Sequence, residues 1–213
     1  VSPSGQKISD TVFAGVPGAS GVAIGEMVVV FPKANLYQVP IRQARDLNRE
    51  TGVFNDALNK VRQDMRDIHE RLAGKVAEEE RQLFDVYLHM LDDDALGKEV
   101  LERIQTGHWA QGALAEVALE HIRSFEMMPD DYLRERAVDI KDLCSRVLFY
   151  LQQGEQVHIE YSENTILVGE EVTPAMLADV PEHKLKGIVS LKGSGNSHVA
   201  ILARTMGIPT VMG

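Results

Sequence analysis

Lys192-Gly-Ser-Gly-Asn-Ser-His-Val-Ala-Ile-Leu-Ala-Arg204 is the stretch on which the reading of this chain turns. Just ahead of it, Gly187-Ile-Val-Ser-Leu191 is a short apolar run of the kind that forms a buried strand. Behind the glycines, Asn196 or Ser197 supplies a cap, and residues 198–206 form a helix closed by Gly207. Ile208-Pro-Thr-Val-Met212 then reads as a further strand with Pro at its start. A strand, a Gly-rich loop and a helix start, in that order, present backbone N–H groups at the positive end of a helix dipole, which suits a phosphate. Gly193, Gly195, Asn196 and Ser197 are the candidate supports for such a group. His198 falls in the first helical turn. A neutral imidazole there has one nitrogen free as a nucleophile and the other held by a hydrogen bond. With an unperturbed pKa near ~6.5, a good fraction of such a ring is neutral at physiological pH. A phosphoryl group arriving on it would meet the donors its charge requires. On spacing alone a second reading stands beside this one: Gly-X-Gly loops before helices are common, and a His there can simply cap or pack.

Outward from this stretch, Thr165-Ile-Leu-Val168 is a second buried strand, and Thr173-Pro174 is a cap with Pro at the first helical position, predicting a helix to about Asp179. At the other end, residues 12–31 are rich in Gly, Pro and Val and read as one or two short strands around a glycine turn, ending at Pro32. Between these ends the period becomes helical. Leu47, Phe54, Leu58, Val61, Met65, Ile68 and Leu72 share one face of a long helix, with Gly74 closing it. Further helices are predicted over 78–91, 94–106 and 109–125. A last one starts at Pro129-Asp-Asp131, carries Leu133, Ala137, Ile140, Cys144, Val147 and Leu151 on one face, and ends at Gly154. Amphipathic helices with short connections make an antiparallel bundle. The architecture expected is an α/β domain of residues 1–41 plus 155–213, interrupted by an all-α bundle of residues 42–154.

Composition narrows the function classes. The 213 residues suffice for one large domain or two small ones, at roughly 100–200 residues per domain. With 32 Asp+Glu against 22 Lys+Arg, the net charge of −10 repels phosphate backbones and sets nucleic-acid binding aside. No run approaches the roughly 18 apolar residues of a membrane span. The single cysteine, Cys144, excludes an internal disulfide and a cysteine-rich zinc site, and falls on a core stripe as a small hydrophobe. His69, His89, His108, His121, His158 and His183 form no metal spacing. His121 reads as a core residue, and His69 and His89 as solvated. The start, Val1-Ser-Pro-Ser-Gly, is neither a signal peptide nor an initiator Met, so a cytosolic protein that is a piece of a longer one is expected.

Gly193-Ser-Gly-Asn-Ser-His198, followed by Ala200-Ile-Leu-Ala-Arg204 and Gly207-Ile-Pro-Thr-Val-Met-Gly213, resembles the phosphohistidine signature of phosphoenolpyruvate-utilising enzymes. Asp130-Asp-Tyr-Leu-Arg-Glu-Arg-Ala-Val-Asp-Ile-Lys-Asp142 resembles the long helix of enzyme I of the phosphotransferase system. Leu167-Val-Gly-Glu-Glu-Val-Thr-Pro174 is similar to the family's strand-and-threonine segment near the same histidine. The Gly-Asn-Ser-His loop looks more like the nitrogen-related enzyme I, which phosphorylates NPr, than the sugar-branch enzyme, which has Arg-Thr-Ser-His and phosphorylates HPr. The resemblance implies a phosphohistidine at His198, passed to a histidine of a small NPr- or HPr-like carrier, with Thr173 holding the imidazole. It implies carrier contacts from Glu79, Glu80, Leu83, Tyr87, His89, Arg136 and Asp139, with Arg136 and Asp139 matching positions on the last helix that face the active-site side. Phosphoenolpyruvate and Mg²⁺ would bind a carboxy-terminal barrel outside this chain, with no cofactor or metal site within it. Motion between the two parts is expected to hinge near 39–42 and 153–156. The alternatives are the swivelling domain of a phosphoenolpyruvate synthase or pyruvate phosphate dikinase, which the inserted bundle argues against, and a non-catalytic regulatory binding module.

Charge adds an argument for docking that does not depend on the resemblance. Residues 78–102 hold nine acids (Glu78, Glu79, Glu80, Asp85, Asp92, Asp93, Asp94, Glu99, Glu102) against Arg81 and Lys98. Such a segment steers a basic partner, and Leu83, Tyr87 and Leu88 among the acids read as an apolar centre ringed by charge. A solvated helix face is the plain alternative.

Overall fold

The computed structural model describes residues 12–91, 96–153 and 159–213, with backbone alone for Glu79, Asp131 and Tyr132. The predicted stop at Gly154, the acids Asp92, Asp93 and Asp94, and most of the 153–156 hinge lie outside the described residues.

Two short strands open the described chain, β1 (Val16–Ala19) and β2 (Glu26–Val30). The long excursion that follows holds α1 (Leu47–Arg71), α2 (Glu78–Met90), α3 (Leu96–Gln105), α4 (Ala110–Glu126) and α5 (Asp131–Leu151). The chain then returns through β3 (Thr165–Gly169), α6 (Pro174–Asp179), β4 (Leu185–Ser190), α7 (His198–Thr205) and β5 (Thr210–Met212). The sheet runs β1-β5-β4-β3-β2. From β2 to β5 neighbouring strands are parallel, and β1 closes the far edge antiparallel to β5. Pro17 sits on that edge strand, where its missing N–H costs no interior ladder bond. Because β3, β4 and β5 are parallel, α6 and α7 must cross back over the sheet between them. Both helices start at the carboxyl ends of their strands, where ligand crevices form in α/β sheets.

The helical stripe predicts its face correctly. Phe54, Leu58, Val61, Met65, Ile68 and Leu72 are buried along α1, and Asp46 caps that helix by accepting from Asn48 N at 3.0 Å and Arg49 N at 3.1 Å. On α5 Ala137, Ile140, Cys144 and Val147 are buried as the spacing requires. The carboxylate of Asp130 accepts from Leu133 N at 3.2 Å at its start. Just past its end, Gln153 has a φ of 55°, so the left-handed position falls on Gln153. Full burial, with help from the nearby Asp142 charge, pushes the Cys144 thiol up to about 12, as befits a dry core residue.

One side of α5 meets the sheet-bearing part of the molecule. Arg146 is only 1% exposed, yet its guanidinium pairs with Asp142 at 3.2 Å and with Asp179 of α6 at 3.2 Å. Lys33 approaches the same Asp179 at 3.6 Å. Burial alone would push Arg146 down, but the two carboxylates outweigh it and the net shift is upward. Lys141 of α5 bonds Glu171, the residue two after β3, at 3.0 Å. His121 corrects its sequence reading: it is partly exposed and its Nε2 lies 2.8 Å from Glu99 Oε2 of α3, because position 121 sits at the rim of the α3–α4 contact rather than inside it.

Candidate active site

The turn between β4 and α7 is built from its own polar groups. Asn196 N donates to Ser194 Oγ at 3.1 Å, and Ser197 N donates to Ser194 O at 3.1 Å. Ser197 then caps α7, its Oγ accepting from Ala200 N at 3.4 Å. Gly193 adopts a φ of 115°, which only glycine tolerates readily. Arg204, a turn and a half along α7, reaches back to donate to Gly195 O at 2.6 Å and Gly18 O at 2.9 Å. The loop is thereby tied to β1 and to its own helix. This corrects the expectation that the loop amides are free for an anion: those of Asn196 and Ser197 are turned inward, since a tight turn must satisfy its own backbone. The ladder of α7 begins with Ile201 N on Ser197 O at 3.0 Å, so the helix bonds themselves do not use the first-turn amides.

The neighbouring loop is pinned to this one. Ser190 Oγ at the end of β4 accepts from Val172 N at 3.0 Å and donates to Lys192 O at 2.6 Å. Thr173 is buried at the head of α6, and its hydroxyl accepts from Met176 N at 3.2 Å. Thr173 therefore serves as a helix cap, and in this structure the imidazole is held by another residue. The reason is local: Pro174 begins α6, and the helix start needs an acceptor at that position.

That other residue is Asp139. His198 Nδ1 lies 2.9 Å from Asp139 Oδ2 of α5. The other oxygen, Oδ1, accepts from the Tyr87 hydroxyl of α2 at 2.7 Å. Arg136 Nη1, one turn before Asp139, stands 3.7 Å from Oδ2. An ionised carboxylate only accepts, so His198 Nδ1 carries the hydrogen and Nε2 keeps the lone pair. The side chain of His198 remains 16% exposed, so the ring is not sealed in. Beside it, the Ser194 hydroxyl donates to Glu135 Oε1 of α5. Three elements far apart in sequence thus converge on one imidazole: α7 supplies it, α5 orients it, and α2 braces the orienting acid.

The residues expected to bind a carrier divide. Leu83 and Tyr87 are buried at 7% and 2% exposure, so neither forms an apolar centre on the surface. The stripe that places them on one face of α2 turns that face onto α1 and α7. Asp139, 3% exposed, is likewise an internal group and not a docking residue. Glu80 accepts from the Thr205 hydroxyl at the end of α7, at 3.3 Å. His89 is exposed and Arg136 partly so; the Glu79 side chain is outside the description. His69, expected to be solvated, is partly buried with Nδ1 3.9 Å from Asp85 Oδ1. Sequence reasoning gave no role in orienting His198 to Asp139 or Tyr87. The helical spacing of Tyr87 with Leu83 and Phe84 is the signal that marks it as internal. Among the described residues no group of three or more His, Cys, Asp or Glu is placed to hold a metal, and no helix is long and apolar enough to cross a membrane.

Residues 14–136 match the family described as PEP-utilising enzyme, N-terminal, and residues 161–213 match PEP-utilising enzyme, mobile domain. The chain belongs to this family, as an N-terminal domain of the enzyme I kind. A protein of Escherichia coli K12 named phosphoenolpyruvate-dependent phosphotransferase system is 35% identical over 202 residues, 93% of this chain and 26% of the relative. The phosphoenolpyruvate-protein phosphotransferase of Geobacillus stearothermophilus is 32% identical over 217 residues, 98% of this chain and 36% of the relative. The chain thus spans about a quarter to a third of the curated relatives it matches. A solved structure described as the N-terminal domain of Enzyme 1 - Nitrogen is 33% identical, with a TM-score of 0.64 over 93% of this chain and 82% of that one. A solution structure of an Enzyme I protein, nEIt, is 26% identical with a TM-score of 0.71, again over 93% of this chain and 81% of that one.

Proposed function

We propose that this chain carries a phosphoryl group on Nε2 of His198 and passes it to a histidine of a small phosphocarrier protein. It does so as the amino-terminal part of a phosphoenolpyruvate-protein phosphotransferase. The observation that carries the reading is the Asp139–His198 pair at 2.9 Å, which leaves Nε2 as the one nucleophilic nitrogen. In the transfer step the Nε2 lone pair attacks phosphorus while the donor's bond to phosphorus breaks and its electron pair returns to the donor. No proton need move. The His198 ring then bears hydrogen on Nδ1 and phosphorus on Nε2, and its positive charge faces the Asp139 carboxylate. That stabilises the adduct by the same electrostatics that an acid gives an imidazolium in hydrolytic triads. Reversal returns the pair to Nε2, so the group stays transferable. Catalysis of this kind is positioning plus electrostatic stabilisation.

Residues 1–41 plus 155–213 are read as the phosphohistidine unit and residues 42–154 as the carrier-binding unit. Carrier contacts fall to Glu79, His89 and Arg136 and to the acidic face of α2, which suits a basic partner surface. Arg136 is the cation on α5 next to the phosphoryl site. Phosphoenolpyruvate and Mg²⁺ belong to the remainder of the full enzyme, and a cytoplasmic location goes with that pathway of transfer. Within the family the nitrogen branch is favoured by the Gly-Asn-Ser-His loop and by the likeness to the nitrogen Enzyme 1 domain.

The test is to mix the chain with histidine-phosphorylated NPr and, separately, HPr, and to follow acid-labile label by intact-mass measurement. Label should appear on the native chain, faster from NPr, and not on His198→Ala. Equal rates from both carriers would overturn the branch assignment, and label on His198→Ala would overturn the site. Rapid labelling of the chain by phosphoenolpyruvate and Mg²⁺ alone would refute placing that site outside it.

A further inference from the structure

We infer that Tyr87 is a positioning residue for His198: it holds the Asp139 carboxylate in the orientation that fixes the imidazole. The inference rests on His198 being the phosphoryl acceptor. The two oxygens of Asp139 are divided between two elements, Oδ1 taking the Tyr87 hydroxyl at 2.7 Å and Oδ2 the His198 Nδ1 at 2.9 Å. Asp139 is 3% exposed, so bulk water is not at hand to orient it, and a carboxylate held by one oxygen alone turns freely about its last torsion. Tyr87 itself is well placed to serve as a brace. It is 2% exposed, and its ring meets Phe84 edge-on at 5.7 Å, which fixes where the hydroxyl points. Burial, and then the charge of Asp139, push its phenol well above the usual range, so the O–H remains a donor at any working pH.

The contact also sets how strongly the acid pulls on the imidazole proton. A donated hydrogen bond stabilises the carboxylate and makes it a weaker base. Without it, Oδ1 is a buried acceptor with its partner gone, and the charge is shared with His198 more fully. The ring is then easier to protonate, and a protonated ring has no lone pair on Nε2. Among the described residues, the other charged groups facing this cluster include Arg136 and Asp142 on α5 itself, Glu135 through Ser194 of the loop, and Glu80 of α2 at the far end of α7. Oδ1 takes its hydrogen bond from Tyr87.

The experiment compares the native chain with Tyr87→Phe, which keeps the ring packed on Phe84, and with 3,5-difluorotyrosine placed at position 87, which strengthens the donor. Two quantities are read on each: the ¹⁵N shifts of His198 against pH, and the rate of labelling by phosphoramidate, a small phosphoryl donor that needs no carrier. Native His198 should show the Nδ1–H tautomer. Tyr87→Phe should titrate His198 at higher pH and label about tenfold more slowly at neutral pH, with the rate recovering as pH rises. The fluorinated side chain should move the titration the other way. Native-like ¹⁵N shifts and pH profile in both would overturn the inference, even if labelling is intact. Labelling that persists in His198→Ala would instead sink the phosphohistidine reading, so the two failures are distinguishable.

Discussion

Two buried positions on α5, Asp139 and Arg146, lie two helical turns apart, yet they are balanced in opposite ways. Arg146 is buried between two carboxylates, Asp142 on its own helix and Asp179 on α6. Its charge is compensated permanently by groups that do not change state. Asp139 is equally buried but is held by a hydroxyl and an imidazole. One of those partners is the imidazole proposed to carry the phosphoryl group, and on that reading the charge balance at Asp139 changes whenever His198 gains or loses it. The lesson is that burial alone does not tell a structural charge from a working one; the chemistry of the partners does. The Arg146 end clamps α5 to α6, and the Asp139 end holds the imidazole of α7.

Removing the acid should break this contrast most severely. Asp139→Asn keeps the shape but lets the amide donate to Nδ1, placing the hydrogen on Nε2; the rate of phosphoryl uptake should fall by about 10³–10⁴ while the fold persists. Stopped-flow mixing with phosphorylated carrier checks it, and an unchanged rate would make Asp139 a bystander. Arg146→Ala should do the reverse: a loss of about 3–5 kcal/mol in urea unfolding, because two acids are left facing each other, with near-native uptake in the molecules that remain folded. A smaller effect concerns Cys144, which lies between these two positions. Its thiol holds its proton to about pH 12 in the folded chain but releases it from about pH 9 when unfolded, so stability is full below pH 9 and falls as pH rises toward 12. The slope should reach about 1.4 kcal/mol per pH unit and flatten in Cys144→Ala, as measured by denaturant midpoints. Ser197→Ala should cost least, about 1 kcal/mol through the lost cap of α7, with the His198 tautomer unchanged because Asp139 holds the ring independently.

Much of this molecule is legible before it is folded. The period of α1 tells which side chains turn inward, and Thr173-Pro174 marks the start of α6 to the residue. His198 stands out once the strand, glycines and cap around it are joined to the family resemblance; on spacing alone a capping or packed His fits as well. The acidic stretch around α2 was less transparent, since an interleaving of acids with Leu83 and Tyr87 describes an amphipathic helix and a docking face equally well. The burial of Leu83 and Tyr87 shows that these two belong to the internal face of α2.

Asp139 is separated from His198 by 59 residues and from Tyr87 by 52, and no local pattern joins the three. Local physics suffices for strands, caps and helical faces, because those depend on neighbours a few residues away. The candidate nucleophile is therefore legible in the sequence, from its local pattern together with the family resemblance. Which group orients it is set only when α2, α5 and α7 pack, since the bonds that do so exist only between distant parts of the chain, and nothing in the chain's local energetics distinguishes Asp139 from the acids beside it.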